Sequence, residues 1–117
     1  REAECKDDPS TNLIMNIVSH INKNYMEDLA VEGLAGMAYL SRSHFCRKFK
    51  KVTGFSPLEY INSVRINEAE KLLHDTRIPI TEISIRTGFS SSNYFGDLFK
   101  KYKGVSPREW RRINDRQ

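Results

Sequence analysis

Apolar residues recur at helical spacing along most of the chain, and no run shows the strict alternation of a strand. Ile14, Ile17, Val18 and Ile21 fall on one face of a segment from about Thr11 to Asn24. A short helix is predicted from about Val31 to Ala38, followed by a turn at Tyr39-Leu40. The next helix runs from about Arg42 to Val52, with Ser41 as its N-cap. A longer one follows from Pro57 to about His74. The plan then repeats: a short helix over about Ile80 to Thr87, a turn at Gly88-Phe89, and a helix from Ser92 to about Tyr102. A last helix starts at Pro107. The pattern predicts an all-α fold of about seven helices.

The repetition extends to the residues themselves. KKVTGFSPLEY at residues 50–60 returns as KKYKGVSPREW at residues 100–110. Upstream, Phe45 and Phe49 pair with Phe95 and Phe99. With a one-residue gap, Leu34-Ala35 matches Ile83-Ser84 and Leu40 matches Phe89. One structural unit is used twice, which has to be recognised before any other signal is weighed. Within the phrase, Gly54 suits a helix C-cap, Ser56 an N-cap and Pro57 the first helical position. Glu59 completes a capping box with Ser56, and Phe55 and Tyr60 have the spacing of a hydrophobic staple. Gly104, Val105, Ser106, Pro107, Glu109 and Trp110 repeat each device. Two short helices around a tight turn are a helix-turn-helix, and the chain holds two, over about residues 31–53 and 80–103, bridged by a helix over about 57–74.

The second helix of each unit leaves one face free. On a helical wheel Phe45, Phe49 and Val52 cluster on one side, while Ser43, Cys46, Arg47 and Lys50 lie opposite. In the second unit Phe95, Phe99 and Tyr102 form the anchoring face, and Asn93, Gly96, Asp97 and Lys100 the free one. Short polar residues near the start of such a helix let its backbone approach base edges, and bases near its end reach phosphates. The bridging helix, about 17 residues long, spans about 25 Å, against about 34 Å between successive major grooves on one face of a duplex. Two recognition helices from one chain are therefore expected in adjacent grooves of an asymmetric site, the fragment binding as a monomer.

Charge agrees with that picture. The 117 residues carry a net charge of +4, and the first nine, REAECKDDP, look like a linker, so that residues 1–10 are set apart from a domain over 11–117. Between Arg42 and Lys51 stand five bases and no acid. Such clustering is the footprint of a nucleic-acid binder, though it also suits an acidic protein or a membrane. The longest apolar run, Leu34 to Leu40, is far short of the roughly 18 residues of a spanning helix. No membrane association is expected. Two cysteines, Cys5 and Cys46, make no disulfide framework, which points to a reducing cytoplasm. No enzyme, cofactor or metal site is expected: His20, His44 and His74 lie in separate helices, and His44 and Cys46 diverge at i, i+2.

By these residues the chain resembles the DNA-binding domain of AraC/XylS-family bacterial transcription regulators, over about residues 11–113. The most specific stretch is GFSSSNYFGDLFKKYKGVSPREWRR at residues 88–112, with Arg65, Ala69, Leu72 and Leu73 matching the pattern of the connecting helix. The resemblance implies transcription regulation at a promoter site, often activation by contact with RNA polymerase, as the C-terminal part of a larger regulator. By position it implies base reading by Ser43, Cys46 and Arg47, and by Ser92, Asn93, Gly96 and Asp97. Gly96 has no side chain, and Asp97 stands where the family often has a base, so Asn93 is expected to carry most of the second readout. Arg42, Lys50, Lys51, Lys100, Lys101 and Lys103 are the expected phosphate contacts. The alternative from a different class is a basic helical protein-interaction module that binds no specific DNA.

Overall fold

A computed structural model describes residues 9–75 and 77–115. The expected linker, Cys5 included, lies almost wholly outside the described residues. Seven helices and no strand occur among those described: α1 Pro9–Asn24, α2 Val31–Met37, α3 Arg42–Thr53, α4 Pro57–Asp75, α5 Ile80–Arg86, α6 Ser92–Lys103 and α7 Pro107–Asp115. Each lies within two residues of its expected bounds. The chain divides into two units, one ending at Ile61 and the other beginning at Asn62, so the division falls inside α4.

In the first unit α1 packs on α2 and α3. Its Ile14, Ile17 and Ile21 are buried, together with Leu34, Ala35 and Ala38. Phe45 and Phe49, the anchors of α3, are fully buried, with ring centroids 5.6 Å apart. Val18 and Val52 are only half-buried, so the apolar stripes are narrower than the wheel suggests. The second unit repeats the arrangement. Ile66, Ala69 and Leu73 of α4 show the i, i+3, i+7 spacing of Ile14, Ile17 and Ile21, and they share a core with Ile83, Phe89, Phe95 and Phe99. Burying a phenylalanine side chain contributes about 1.5–3 kcal/mol, so α3 and α6 are each held chiefly by two rings.

The repeated phrase does what its residues suggest. Gly54 and Gly104 cap α3 and α6 in the left-handed region, at φ 87° and 90°, and donate to the carbonyls of Lys50 and Lys100. The Ser56 hydroxyl accepts from the amide of Glu59 at 3.2 Å, and Glu59 Oε1 accepts from the amide of Ser56 at 2.9 Å. Ser106 and Glu109 form the same box at 3.2 and 3.4 Å. The aromatic beside each box then clamps the preceding helix, α3 or α6. Tyr60 meets Phe49 edge-on at 5.8 Å, and Trp110 meets Phe99 at 6.0 Å. Tyr60 also donates to Asn22 Oδ1 of α1. Phe55, the expected staple partner, is half exposed at 49%.

The turn inside each helix-turn-helix is closed by the same backbone bond. Leu40 donates to Ala35 and Phe89 to Ser84, six residues spanned in both cases, as in a Schellman ending. That ending needs a left-handed residue, supplied by Gly88 at φ 100° and by Tyr39 at φ 59°. Tyr39 is the one non-glycine residue with positive φ among those described.

Candidate nucleic-acid interface

Both α3 and α6 start from a serine cap. Ser41 accepts from the amide of His44, and Ser91 from that of Tyr94, each at 3.2 Å. With the caps and the two buried phenylalanines at the same intervals, the register of α3 equals that of α6. Each residue of one helix therefore has an equivalent 50 positions on in the other.

The outward faces are those expected. Ser43, Arg47 and Lys50 are exposed and Cys46 is half-buried beside them. On α6, Ser92, Asn93, Asp97 and Lys100 are exposed and Gly96 is partly so. A Cβ built on Gly96 would meet nothing within 4 Å. Tyr102, expected to anchor α6, is instead 39% exposed; one turn beyond Phe99, the helix is already leaving the core. Lys50 and Lys51 sit in the last turn of α3, and Lys100, Lys101 and Lys103 in that of α6. There they also complement the negative end of the helix dipole.

Two of the expected phosphate contacts are engaged within the protein. Arg42 is ion-paired with Glu32 of α2, both side chains staying largely exposed. A backbone hydrogen bond and then the Arg42 guanidinium hold the Glu32 carboxyl below its ordinary range. Lys103 is more deeply held: its ammonium lies 2.9 Å from Glu70 and 3.1 Å from Asn67, with the side chain only 22% exposed. It tethers α6 to α4.

Two further side chains, Tyr94 and Arg65, support α6 and its turn through contacts that the sequence alone did not show. The Tyr94 hydroxyl accepts from Asn62 Nδ2 at 3.2 Å, satisfying a buried amide, while the Tyr94 ring lies edge-on to Phe89 at 6.0 Å. Arg65 lies over the other anchor of that turn, its guanidinium carbon 5.8 Å from the Phe89 ring centre. Such contacts join residues distant in sequence, and spacing alone carries no trace of them. Among the described residues no cluster of three or more His, Cys, Asp or Glu could hold a metal ion, and no helix is long and apolar enough to cross a membrane.

Comparison with known proteins agrees with this geometry. A family model described as a helix-turn-helix domain matches residues 34–113. The bifunctional transcriptional activator/DNA repair enzyme AdaA of Bacillus subtilis is 37% identical over 106 residues, which cover 91% of this chain and 50% of that protein. Across the curated relatives compared, the chain spans 33% to 59% of their lengths. Among solved structures, the DNA-binding domain of AdpA in complex with a target DNA superposes with a TM-score of 0.82 at 31% identity, covering 86% of this chain and 90% of that one. A transcriptional regulator from Chromobacterium violaceum, described by its AraC-type DNA-binding domain, gives a TM-score of 0.78 at 30% identity, covering 90% and 94%. The chain belongs to the AraC-type helix-turn-helix family, the DNA-binding domains of transcription regulators.

Proposed function

We propose that this chain regulates transcription by reading an asymmetric promoter site, α3 and α6 each entering a major groove of the same duplex. The observation that carries the reading is the duplicated helix whose buried rings face the core and whose free face presents Ser43, Cys46 and Arg47 in one unit and Ser92, Asn93, Gly96 and Asp97 in the other. Lys50, Lys51, Lys100 and Lys101 supply phosphate contacts that set register without choosing sequence, while Arg42 is withheld from them by its pair with Glu32. Lys103, held by Glu70 and Asn67, takes a supporting place behind them.

That one chain engages both grooves rests on the duplication, each unit carrying its own helix of this design. The fragment then binds as a monomer. It serves as the DNA-reading part of a larger cytoplasmic regulator, whose effect on transcription runs through contact with RNA polymerase.

The test is binding to random and to selected duplex at graded salt, followed by gel shift. Phosphate neutralisation gives a steep inverse dependence of affinity on salt, and sequence reading gives tighter binding to the selected site. Salt-steep binding with no preferred sequence, or no binding to duplex at all, would leave a basic protein-interaction surface as the better reading.

A further inference from the structure

The equal registers of α3 and α6 make Cys46 and Gly96 equivalent, and likewise Arg47 and Asp97. At one outward position the first unit thus presents a donor with positive charge, and the second an acceptor with negative charge. Asp97 is exposed and its carboxylate forms no ion pair or hydrogen bond with the described residues, although Lys100 and Lys101 lie one turn away. A free carboxylate on a helix that enters DNA is repelled by the phosphates, which weakens unselective binding. The fold gives no structural reason for it. It gives none for Gly96 either. Glycine is among the poorest helix formers, yet this one lies in mid-helix, takes no left-handed φ, and has open space where a Cβ would stand.

Both oddities are resolved by what a carboxylate can recognise. It only accepts hydrogen bonds, so it needs a base that donates in the major groove. Guanine offers N7 and O6 there, and thymine O4, all acceptors; adenine sets its N6 donor beside the N7 acceptor; cytosine presents the N4 donor. Asp is also short, so its helix must lie close to the base edges. Resting on the DNA-binding reading above, we propose that Asp97 selects a cytosine, and that Gly96 is the clearance that lets α6 come close enough for it to do so. The second unit therefore reads a cytosine through an acceptor where the first, through Arg47, reads an acceptor-bearing base.

Selection of sites from a random duplex pool by the intact chain and by three variants tests this. The parent should enrich a site with a fixed cytosine in the segment covered by α6. D97N, whose amide pairs with adenine N6 and N7, should move that position from cytosine to adenine and leave the others unchanged. D97A should lose the preference there and bind random duplex several-fold more tightly. G96A should melt at a higher temperature than the parent, yet bind the selected duplex about tenfold more weakly. If cytosine persists at every position in both Asp97 variants, or if G96A binds as tightly as the parent, the proposal is wrong while DNA reading stands. If the parent enriches no sequence, both fall together.

Discussion

Glu32, in the first turn of α2, is ion-paired with Arg42, the first residue of α3. The pair ties the two helices of the first unit together across their turn, and it occupies a guanidinium that a phosphate could otherwise use. Glu32→Gln should release Arg42, raise affinity for random duplex, and steepen the salt dependence by about one unit. An unchanged slope would show that Arg42 does not reach the backbone. The same variant has a pH signature. Because the folded carboxyl titrates below its unfolded range, the stability it contributes is present at neutral pH and is lost as pH falls through that depressed value. Acid titration of stability should therefore be shallower in Glu32→Gln.

Tyr39 holds a left-handed backbone at the place where the second unit has Gly88, and the residue is 86% exposed. A bulky residue in that region costs roughly 1–2 kcal/mol, and so exposed a residue returns little packing. Tyr39→Gly should stabilise the fold by about 1 kcal/mol, offset in part by the greater freedom of glycine in the unfolded chain. Thermal melting should show a rise of a few degrees. A fall would mean that the ring packs in a way its exposure conceals.

Arg47 is the one long donor on the outward face of α3 that is neither ion-paired with a described residue nor placed at the helix end. Arg47→Ala should cost about 1–3 kcal/mol of affinity and relax the preference at one base pair, as expected for bidentate contact with guanine O6 and N7. Lys50→Ala should weaken all sequences alike and flatten the salt slope by about one unit. Competition binding against single-base variants of the site separates the two. Uniform loss from Arg47→Ala would remove it from base reading.

Cys46 lies on the same outward face, half-buried between Ser43 and Lys50. Thiol labelling of the folded chain should modify it, and the bulky adduct should abolish DNA binding while helical circular dichroism is retained. Bound duplex should protect it. Mass spectrometry follows the site directly, with Cys5 as the control whose modification leaves binding intact. A thiol that reacts only in denaturant would place Cys46 in the core.

How legible was all this? The elements were legible because caps and breakers act locally: Ser41, Gly54, Ser56, Pro57 and their repeats set helix ends within a few residues of themselves. The anchors were legible because Phe45 and Phe49 stand at helical spacing and return as Phe95 and Phe99. What escaped depends on chain segments meeting in space. Tyr94 with Asn62, Lys103 with Glu70, and Glu32 with Arg42 are pairs brought together by packing, and one of them removes a lysine from the expected phosphate set. Tyr39 escaped for another reason. Its backbone is fixed by the Schellman bond from Leu40 to Ala35, and the usual glycine that announces such a turn stands only in the second unit.

The measurement that tests the central claim most directly is hydroxyl-radical footprinting of the chain on its selected duplex, with the stoichiometry of the complex read in parallel. One chain per duplex, with two protected backbone segments about one helical turn apart on a single face and different sequences in the major grooves they flank, is the result expected from two non-identical helices. A palindromic site occupied only by two chains, each protecting a single groove, would contradict it.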